Sequence, residues 1–404
     1  MNTIAFEYLK LLRDPMGVPF YPQVFEALMV LTFALHIIFV NLVIGTTGLS
    51  IWYYINRNDY TERLIGGFAR ASTIMTSLAI VLGVAPLLFV QVIYDPFWYT
   101  ANNISAWWVL GFLLFIAISF TTSYLFYFSD KKGGNIIWAI LSFVFLIIAG
   151  IVIHALSEQM ISPEKWTKWI TEGDKINLYG NKLHGINVVR FLHFIIPSFA
   201  VTGVFMMLAS WYYRGKEGYS ESYLNWLANK GRKMALIFSI IQGIVGAIWY
   251  ALEIDVKGFA LHPLTLLGIL AGMSYIGYLM KLKEPEKRAI PTAIFTFMVI
   301  LLMAITRETL RNVKLSNMGY SIGDYKLSLD WGSTVLFLLT FIMGIIVVSY
   351  IATIVYKLGK SNKKVTEMPE LDTFGKIAVS LPVIWFIVVA GFGIILAFSN
   401  GALP

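Results

Sequence analysis

The chain has 404 residues, of which 58% are hydrophobic and 13% are charged, and its formal net charge is +8 at pH 7. Soluble chains usually carry about a quarter of their residues as charges, so this composition excludes an ordinary water-soluble protein and gives no support to nucleic-acid binding. The chain contains no cysteine, which excludes disulfides, cysteine-ligated zinc, iron–sulfur clusters and covalently attached c-type haem.

Apolar runs of roughly 20 residues recur along the whole chain and predict about ten transmembrane helices. These runs lack the alternation of an outer-membrane barrel, and a helix pairs its own backbone polar groups in lipid. In chain order, the predicted spans are 24–55, 67–94, 104–128, 135–156, 186–213, 232–253, 258–280, 289–306, 333–356 and 376–398. The sequence therefore predicts an all-α polytopic membrane helical bundle, with 1–404 as a single transmembrane domain and 1–22 as a candidate interfacial helix.

Lys and Arg are distributed unevenly between the two alternating sets of loops. One set holds 18 of these residues in 65 positions, and the other set, with the N-terminal segment, holds 11 in 92. The denser loops are 56–66, 129–134, 214–233, 281–288 and 357–376. Because cytoplasmic loops carry the excess of positive charge, we expect a multi-pass protein of the inner (cytoplasmic) membrane with both termini outside. Two exterior loops, 157–185 and 307–332, are long enough to dock a partner.

Histidine is rare, and its placement is the main chemical signal in the sequence. The five histidines are His36, His154, His184, His193 and His262. All but His184 fall inside predicted spans, and the predicted topology places these four in the outer half of the membrane, with Glu308 just outside the eighth span. A neutral histidine bonded to a neighbouring helix is the alternative for each, and His184 is expected to be a surface residue.

Neutral imidazoles on facing helices of an apolar bundle without cysteine suit haem iron best. Haem b needs axial ligands and an apolar slot, whereas zinc needs three or four ligands that converge on one point. A proton relay normally includes buried carboxylates, and the spans contain very few of them. The histidines of the spans are therefore candidate haem ligands.

Several segments resemble subunit I of cytochrome bd-type quinol oxidases, in the same order along the chain. The matching segments are 35–45 in the first helix, 155–163 at the end of the fourth, 189–193 with 200–205 and 210–213 in the fifth, and 306–311 at the family's T-E-x-G-R element. They cover about 24–356, so the resemblance implies a bd-like nine-helix scaffold there, with 357–404 adding a tenth helix.

The resemblance also implies haem ligands. His193 matches the axial ligand of the family's low-spin b haem, His36 matches a ligand of the second, high-spin pair, and Glu308 matches the ligand in the T-E-x-G-R element. The family's Met ligand of the seventh helix has no counterpart, and His262 stands near its place, so we expect His262 and His193 to form a bis-histidine haem. His154 has no counterpart in the family and is either a further iron ligand or a hydrogen-bonded buried histidine.

Three arginines near the outer helix ends are candidates to bind haem propionates. They are Arg190, Arg307 and Arg311. The alternative for each is ordinary snorkelling of the guanidinium towards the interface. Together with the candidate ligands, they predict two or three b haems.

The chain departs from the family at three places that bear on function. The long exterior loop that carries the family's quinol site is reduced to about 254–258, the acid of the third helix is missing from 104–128, and 310–314 replace the family's G-R-Q-P-W run. Because the missing acid delivers protons for oxygen reduction in the family, the chain resembles a divergent relative rather than an oxygen-reducing subunit.

The leading hypothesis is a haem b membrane subunit of a respiratory electron-transfer complex. It would oxidise membrane quinol near the outer face and pass electrons to a c-type cytochrome, multihaem in some bd-like systems, docked on the exterior loops. Other membrane subunits and lipid are the remaining expected partners. The alternatives are a bd-like terminal reductase of oxygen or nitric oxide, and a non-haem transporter or membrane anchor.

Overall fold

The computed structural model describes residues 11–130, 135–360 and 368–401. In chain order its helices are α1 (Pro22–Ile55), α2 (Asp59–Ile93), α3 (Asp95–Ile104), α4 (Ala106–Asp130), α5 (Ile136–Met160), α6 (Trp166–Ile170), α7 (Val188–Ile195), α8 (Pro197–Tyr213), α9 (Glu221–Leu252), α10 (Pro263–Lys281), α11 (Ala289–Ser316), α12 (Trp331–Lys360) and α13 (Pro369–Ser399). Two short antiparallel strands, β1 (Thr171–Glu172) and β2 (Lys175–Ile176), follow α6.

Ten segments of the described chain are helical, long and apolar enough to cross a membrane. They are the ten predicted spans, with α7 and α8 together forming the fifth. The predicted all-α polytopic bundle is therefore confirmed. The prediction of an interfacial helix over 1–22 falls partly on residues 1–10, which lie outside the described residues.

Several helices are longer than the apolar runs that predicted them. α2 begins eight residues early because Asn58 caps it, with the Asn58 side chain accepting hydrogen bonds from the N–H groups of Tyr60 and Thr61. α11 continues past 306 to Ser316, because Glu308 and Arg311 lie one turn apart and form an ion pair on its surface. Glu308 therefore lies within a helix and not, as predicted, just beyond the end of one.

The fifth span is broken near its N-terminal end. Pro197 begins α8, and Pro has no N–H to donate to the carbonyl oxygen four residues earlier, so the helix is interrupted after Ile195. Asn187 caps the short helix α7, with its side chain accepting a hydrogen bond from the Arg190 N–H. This break sets off a two-turn segment that carries both Arg190 and His193.

The chain divides into two compact units. The first contains the helices α1 to α7, most of α8, and α9 to α11, together with the segments between them. In it α1 packs against α2, α5 and α11, and α9 packs against α7 and α10. At the contact of α8 with α9, a Cβ on Gly203 would lie 2.5 Å from the Gly231 carbonyl oxygen, so glycine is required for this close approach.

The part of the first unit around α3 and the segment after α11 has its own aromatic core. Tyr94 and Phe97 are fully buried, and Phe97 packs edge-on against Tyr320 with ring centroids 4.6 Å apart. Trp166 of α6 packs on the same Phe97 ring. These contacts fix α3, α6 and the segment after α11 against one another.

The second unit is made of 212–219 and the chain from Ser328 onward, which forms the helices α12 and α13. Within it, Trp385 Nε1 donates a hydrogen bond to Thr340 Oγ1 at 2.9 Å, and Gly375 leaves room for the Tyr350 ring. The most apolar window of each helix has no buried residue, as expected of helices that face lipid. This unit contains both the ninth and the tenth span. The predicted nine-helix scaffold over 24–356 instead joined the ninth span to the first eight. The predicted boundaries of that scaffold therefore stay a prediction.

Candidate functional site

A cavity of about 420 Å³ lies within the first unit, lined by α1 and by α7 to α11. Its walls are mostly apolar, and its volume lies in the usual range of ligand pockets, about 300–1,000 Å³. Three glycines line it, Gly243 and Gly246 on α9 and Gly272 on α10. Because glycines leave stretches of wall without side chains, the cavity suits a broad, planar group.

His193 brings an imidazole to this cavity. Since Pro197 cannot donate to the His193 carbonyl oxygen, the Gln242 amide of α9 does so instead, at 2.8 Å, and the same Gln242 nitrogen lies 3.0 Å from His193 Nδ1. The ring lies against Gly246, where a Cβ would come within 2.7 Å of His193 Cε1. With Nδ1 engaged by Gln242, the nitrogen left for a ligand is Nε2.

Arg307 gives the cavity wall a positive charge. Its guanidinium donates to Ser157 Oγ at 3.2 Å and lies over the Phe33 ring at 4.4 Å, and no carboxylate of the described residues forms an ion pair with it. Two further cavity-lining groups, Trp249 Nε1 and Thr265 Oγ1, are buried without a hydrogen-bond partner. Since buried charge and buried polar atoms are costly unless paired, this part of the cavity fits a ligand that carries an anionic group.

The other two predicted propionate residues already have carboxylate partners. Arg190 forms a buried ion pair with Glu158, and Arg311 forms one with Glu308 at 2.8 Å. Of the three arginines, only Arg307 lines the cavity. The propionate role therefore fits Arg307 best.

His36 has the hydrogen bonding of a metal ligand but does not line the cavity. Its Nδ1 lies 2.8 Å from the Ala79 carbonyl oxygen, so Nδ1 carries the proton and Nε2 keeps a free lone pair. The ring packs against Gly83 of α2, where a Cβ would come within 2.8 Å of His36 Cε1. Its haem role stays a prediction.

His154 is buried, with its ring edge-on to Phe191 at 5.5 Å and its Nε2 without a partner. His262 caps α10, where its Nδ1 accepts the Leu264 N–H at 3.3 Å. Neither lines the cavity at His193. The structure does not bring His262 to the same cavity as His193, and the bis-histidine haem stays a prediction.

His184 lies in the exterior segment before α7 and stacks on Trp169, with ring centroids 5.8 Å apart. It is partly exposed. Burial lowers its pKa, and the nearby Lys182 lowers it further. These observations agree with a surface residue outside the site.

Glu308 lies in a buried polar cluster beside the cavity. Its Oε1 lies 2.6 Å from the Tyr94 hydroxyl, and its Oε2 accepts a hydrogen bond from Arg311. The same hydroxyl lies 2.7 Å from Asn312 Oδ1, and the Asn312 amide nitrogen donates to Glu26 of α1. Burial and the neighbouring Glu308 raise the pKa of Tyr94 well above its usual value, so Tyr94 keeps its proton. Both Glu308 oxygens are engaged within the chain, and the role of Glu308 as an iron ligand stays a prediction.

A second polar cluster lies at the C-terminal end of α2. Asp95 accepts hydrogen bonds from the Tyr325 hydroxyl and from the Asp14 N–H, and Tyr325 lies 2.7 Å from the Tyr320 hydroxyl. Burial raises the pKa of the Asp95 carboxyl and also those of both tyrosines. Arg13 lies over the two tyrosine rings, so the cluster ties the N-terminal segment to the exterior loop after α11.

Several residues of the site could not be predicted from the sequence. Gln242 and Gly246 hold the His193 ring, and Tyr94 and Asn312 connect Glu308 to Glu26. The available signal was a lone polar Gln in an apolar span, which is costly in lipid unless it has a partner. Nothing in the sequence indicated which histidine that partner would be.

The fold was compared with those of solved structures. It matches a chain in the structure of bd oxidase from Geobacillus thermodenitrificans with a TM-score of 0.56 and 13% sequence identity, over 85% of this chain and 100% of that chain. No protein-family model matches the sequence. No match was found among curated proteins. The likeness confirms the bd-like fold that was predicted from the helix segments, and at this identity it shows the fold alone.

Proposed function

We propose that this chain is a haem b membrane subunit of a respiratory complex that oxidises membrane quinol near the outer face. The observation that carries the proposal is the cavity that holds both His193 and Arg307. A haem is a planar, mostly apolar group with anionic propionates, and this cavity offers glycine walls, an imidazole and an unpaired guanidinium. When bound, haem supplies one-electron transfer.

The chain's own residues would hold the group in two ways. His193 Nε2 would be the axial ligand, and Arg307 would pair with a propionate. For Nε2 to bind iron, Nδ1 must carry the proton, and Gln242 must turn its amide so that Oε1 accepts that proton. This oxygen is buried and has no partner in the structure, so the turn gives it one, while the bond from the Gln242 nitrogen to the His193 carbonyl oxygen is given up.

The remaining parts of the proposal rest on the sequence and on the bd-like fold. His36 is the candidate ligand of a second haem, because its Nε2 lone pair is free, and His154 with its unpartnered Nε2 is the candidate for a third. The Lys and Arg distribution supports an inner-membrane protein with both termini outside. A c-type cytochrome bound to the exterior loops would receive the electrons, and other membrane subunits would complete the complex.

A second occupant for the same cavity is favoured by the orientation of Gln242. As it stands, the Gln242 amide nitrogen donates towards His193 Nδ1, so the ring proton lies on Nε2, which then donates into the cavity. A quinone carbonyl oxygen would accept that bond. The cavity would then be the quinone site of the same complex, and the haems would lie elsewhere in the bundle.

The test is an optical spectrum and a pyridine haemochrome assay of the purified chain. The expected result is b-type haem, with one low-spin component missing in His193→Ala. His184→Ala is the matched control, because His184 lies outside the cavity, and its spectrum should equal that of the wild type. A coloured His193→Ala protein with all its haem, but without quinone binding, supports the second occupant. A colourless wild-type protein overturns the proposal and supports a transporter or anchor, and an inhibitable gas-reductase activity supports a terminal reductase.

A further inference from the structure

Three large apolar side chains lie exposed on the connection between the fourth and fifth spans. They are Ile176, Leu178 and Tyr179, here called the apolar patch, and the last two are 77% and 78% exposed. Single exposed apolar residues are ordinary on a protein surface, but a group of them marks a surface that another apolar phase covers. The described part of the chain leaves this patch uncovered.

The backbone on both sides of the patch is held in place. The Asn177 N–H donates to the Ile170 carbonyl oxygen at 2.6 Å, and the Asn177 side chain accepts the Tyr179 N–H at 2.9 Å. Directly after the patch, the Gly180 carbonyl oxygen accepts the Trp107 N–H at 3.1 Å. Gly180 has a φ of 66°, and a Cβ there would lie 2.9 Å from the backbone nitrogen at the start of α4, so glycine is required. The exposure of the patch is therefore built into the fold.

The segment that follows the patch runs along the ends of three spans. At the start of α4, Trp108 Nε1 donates to the Asn181 carbonyl oxygen at 3.0 Å. Near the end of α5, Gln159 Nε2 donates to the His184 carbonyl oxygen at 2.8 Å. The segment then enters α7 at Val188, where the fifth span begins. Because the ends of spanning helices mark the border of the membrane, the segment lies along that border.

The length of α4 gives the depth of this border. Its span of 24 residues, Ala106–Ser129, is about 36 Å long at 1.5 Å per residue. The hydrocarbon core is about 30 Å thick and the whole bilayer about 40–45 Å. An upright α4 therefore extends only about 3 Å beyond the hydrocarbon at each end, and tilt draws its ends further inwards. Leu178 and Tyr179 lie within two residues of Gly180, which is at most about 7 Å of chain.

We propose that the apolar patch is a membrane-surface anchor that inserts into the headgroup region beside α4. Its partner is the lipid bilayer itself. The Leu178 side chain would reach the upper part of the acyl chains, and Tyr179 would place its ring there while its hydroxyl stays among the polar headgroups.

Continuity with the lipid-facing surface of α4 supports lipid as the partner. Trp107 and Leu110, one turn apart at the start of α4, are 65% and 62% exposed. On a spanning helix such a surface faces lipid, and Trp is typical of the border zone. The patch comes directly before Gly180, which contacts this turn of α4, so it continues the same apolar surface past the helix end.

The size of the patch argues against a docked protein. Even large aromatic side chains bury only about 150–250 Å² each, so three side chains offer less than the roughly 800 Å² per partner of a stable protein interface. A bilayer sets no such minimum, because it already surrounds the neighbouring helix. The segment leads directly into α7, so the anchor would also fix the height at which α7 enters the membrane.

The test is site-directed spin labelling of the complete chain in phosphatidylcholine nanodiscs. The chain has no cysteine, so Leu178→Cys and Tyr179→Cys each give a single labelled position. Oxygen concentrates in the hydrocarbon, whereas a water-soluble nickel chelate stays outside it. At both positions oxygen should relax the nitroxide more strongly than nickel does.

Asp174→Cys is the matched control. Asp174 is also exposed and lies in the turn between β1 and β2 of the same connection, but its charge excludes it from lipid. Nickel should therefore relax the label at 174 more strongly than oxygen does. All three side chains are exposed, so the variants should keep the thermal unfolding midpoint of the wild type.

Nickel prevailing at 178 or at 179 overturns the anchor, because the patch would then lie in water. Protection of these two labels from both reagents also overturns it, because a second copy of the chain or another protein would then cover the patch. An oxygen preference at 174 equal to that at 179 overturns the assignment to the patch, since the whole hairpin would then lie in lipid. The measurement needs no haem and does not rest on the proposed function, so the two can fail separately.

Discussion

Substitution of Gly246 by alanine tests the site most directly, because it moves the His193 ring without removing any polar group. The new Cβ would lie 2.7 Å from His193 Cε1 and 3.2 Å from Nδ1. Carbon atoms in contact normally lie about 3.5–4.0 Å apart, so the ring must move by roughly 1 Å. Functional geometries tolerate errors of only about 0.5 Å, and we expect His193 to lose its hold on iron.

The energies predict that this variant still folds. Overpacking costs about 1–3 kcal/mol, while replacing a glycine inside a helix by alanine stabilises it by about 1 kcal/mol. The net loss, roughly 0–2 kcal/mol, is small beside the total stability of most domains, about 5–15 kcal/mol. The site should therefore be lost while the fold is kept.

The assay is the reduced spectrum of the purified Gly246→Ala protein, with its haem-to-protein ratio from pyridine haemochrome. We expect one low-spin b component to be lost or converted to high spin. Gly277→Ala is the control, because a Cβ at Gly277 of α10 meets nothing within 4 Å. A wild-type spectrum with full haem content in Gly246→Ala would refute the placement of His193 at the iron.

Three further results are expected. Arg307→Gln should weaken retention of the haem by about 1.5–3 kcal/mol, the usual worth of a hydrogen bond to a charged group, measured as haem content after purification. His262→Ala should leave the low-spin spectrum unchanged if His193 binds iron without it, since His262 does not line the cavity; loss of the low-spin component would instead establish the bis-histidine pair. Burial raises the pKa of the Asp95 carboxyl, so the folded state binds the carboxyl proton more tightly than the unfolded state does. Asp95 therefore stabilises the fold at low pH, and this contribution is lost as the pH rises through the folded-state pKa. Asp95→Asn should therefore flatten the pH dependence of the thermal unfolding midpoint in the acid range.

The number and order of the spans could be predicted from the sequence because the cost of unpaired backbone in lipid forces each apolar run to be a helix. Helix ends could not be predicted in this way, since they depend on local hydrogen bonds beyond the apolar run. α9 begins at Glu221, eleven residues before the predicted span, because Ser220 caps it. α11 continues to Ser316 through a polar segment that tertiary contacts bury.

Of the candidate site, the sequence indicated the residue types but not their partners. His193 was predicted from a helix segment, and the structure places it at a cavity together with Arg307. Its contacts with Gln242 and Gly246 join positions about fifty residues apart, and no local pattern encodes such a pairing. The position of His262 at the start of α10, outside that cavity, could not be predicted either. The order of helices along the chain does not fix the depth or direction of a side chain.

The segment 306–311 shows why a motif alone does not fix the direction of each side chain. Met303 and Arg307 are four residues apart and continue one stripe of α11 that lines the cavity. Glu308 comes one residue later, which turns its side chain by about 100°, and it meets Tyr94 instead. Asn312 lies four residues further along that second stripe and leads to Glu26. A sequence motif treats Arg307 and Glu308 as parts of one haem-binding element, whereas the helix directs one towards the cavity and the other towards the Tyr94 hydroxyl.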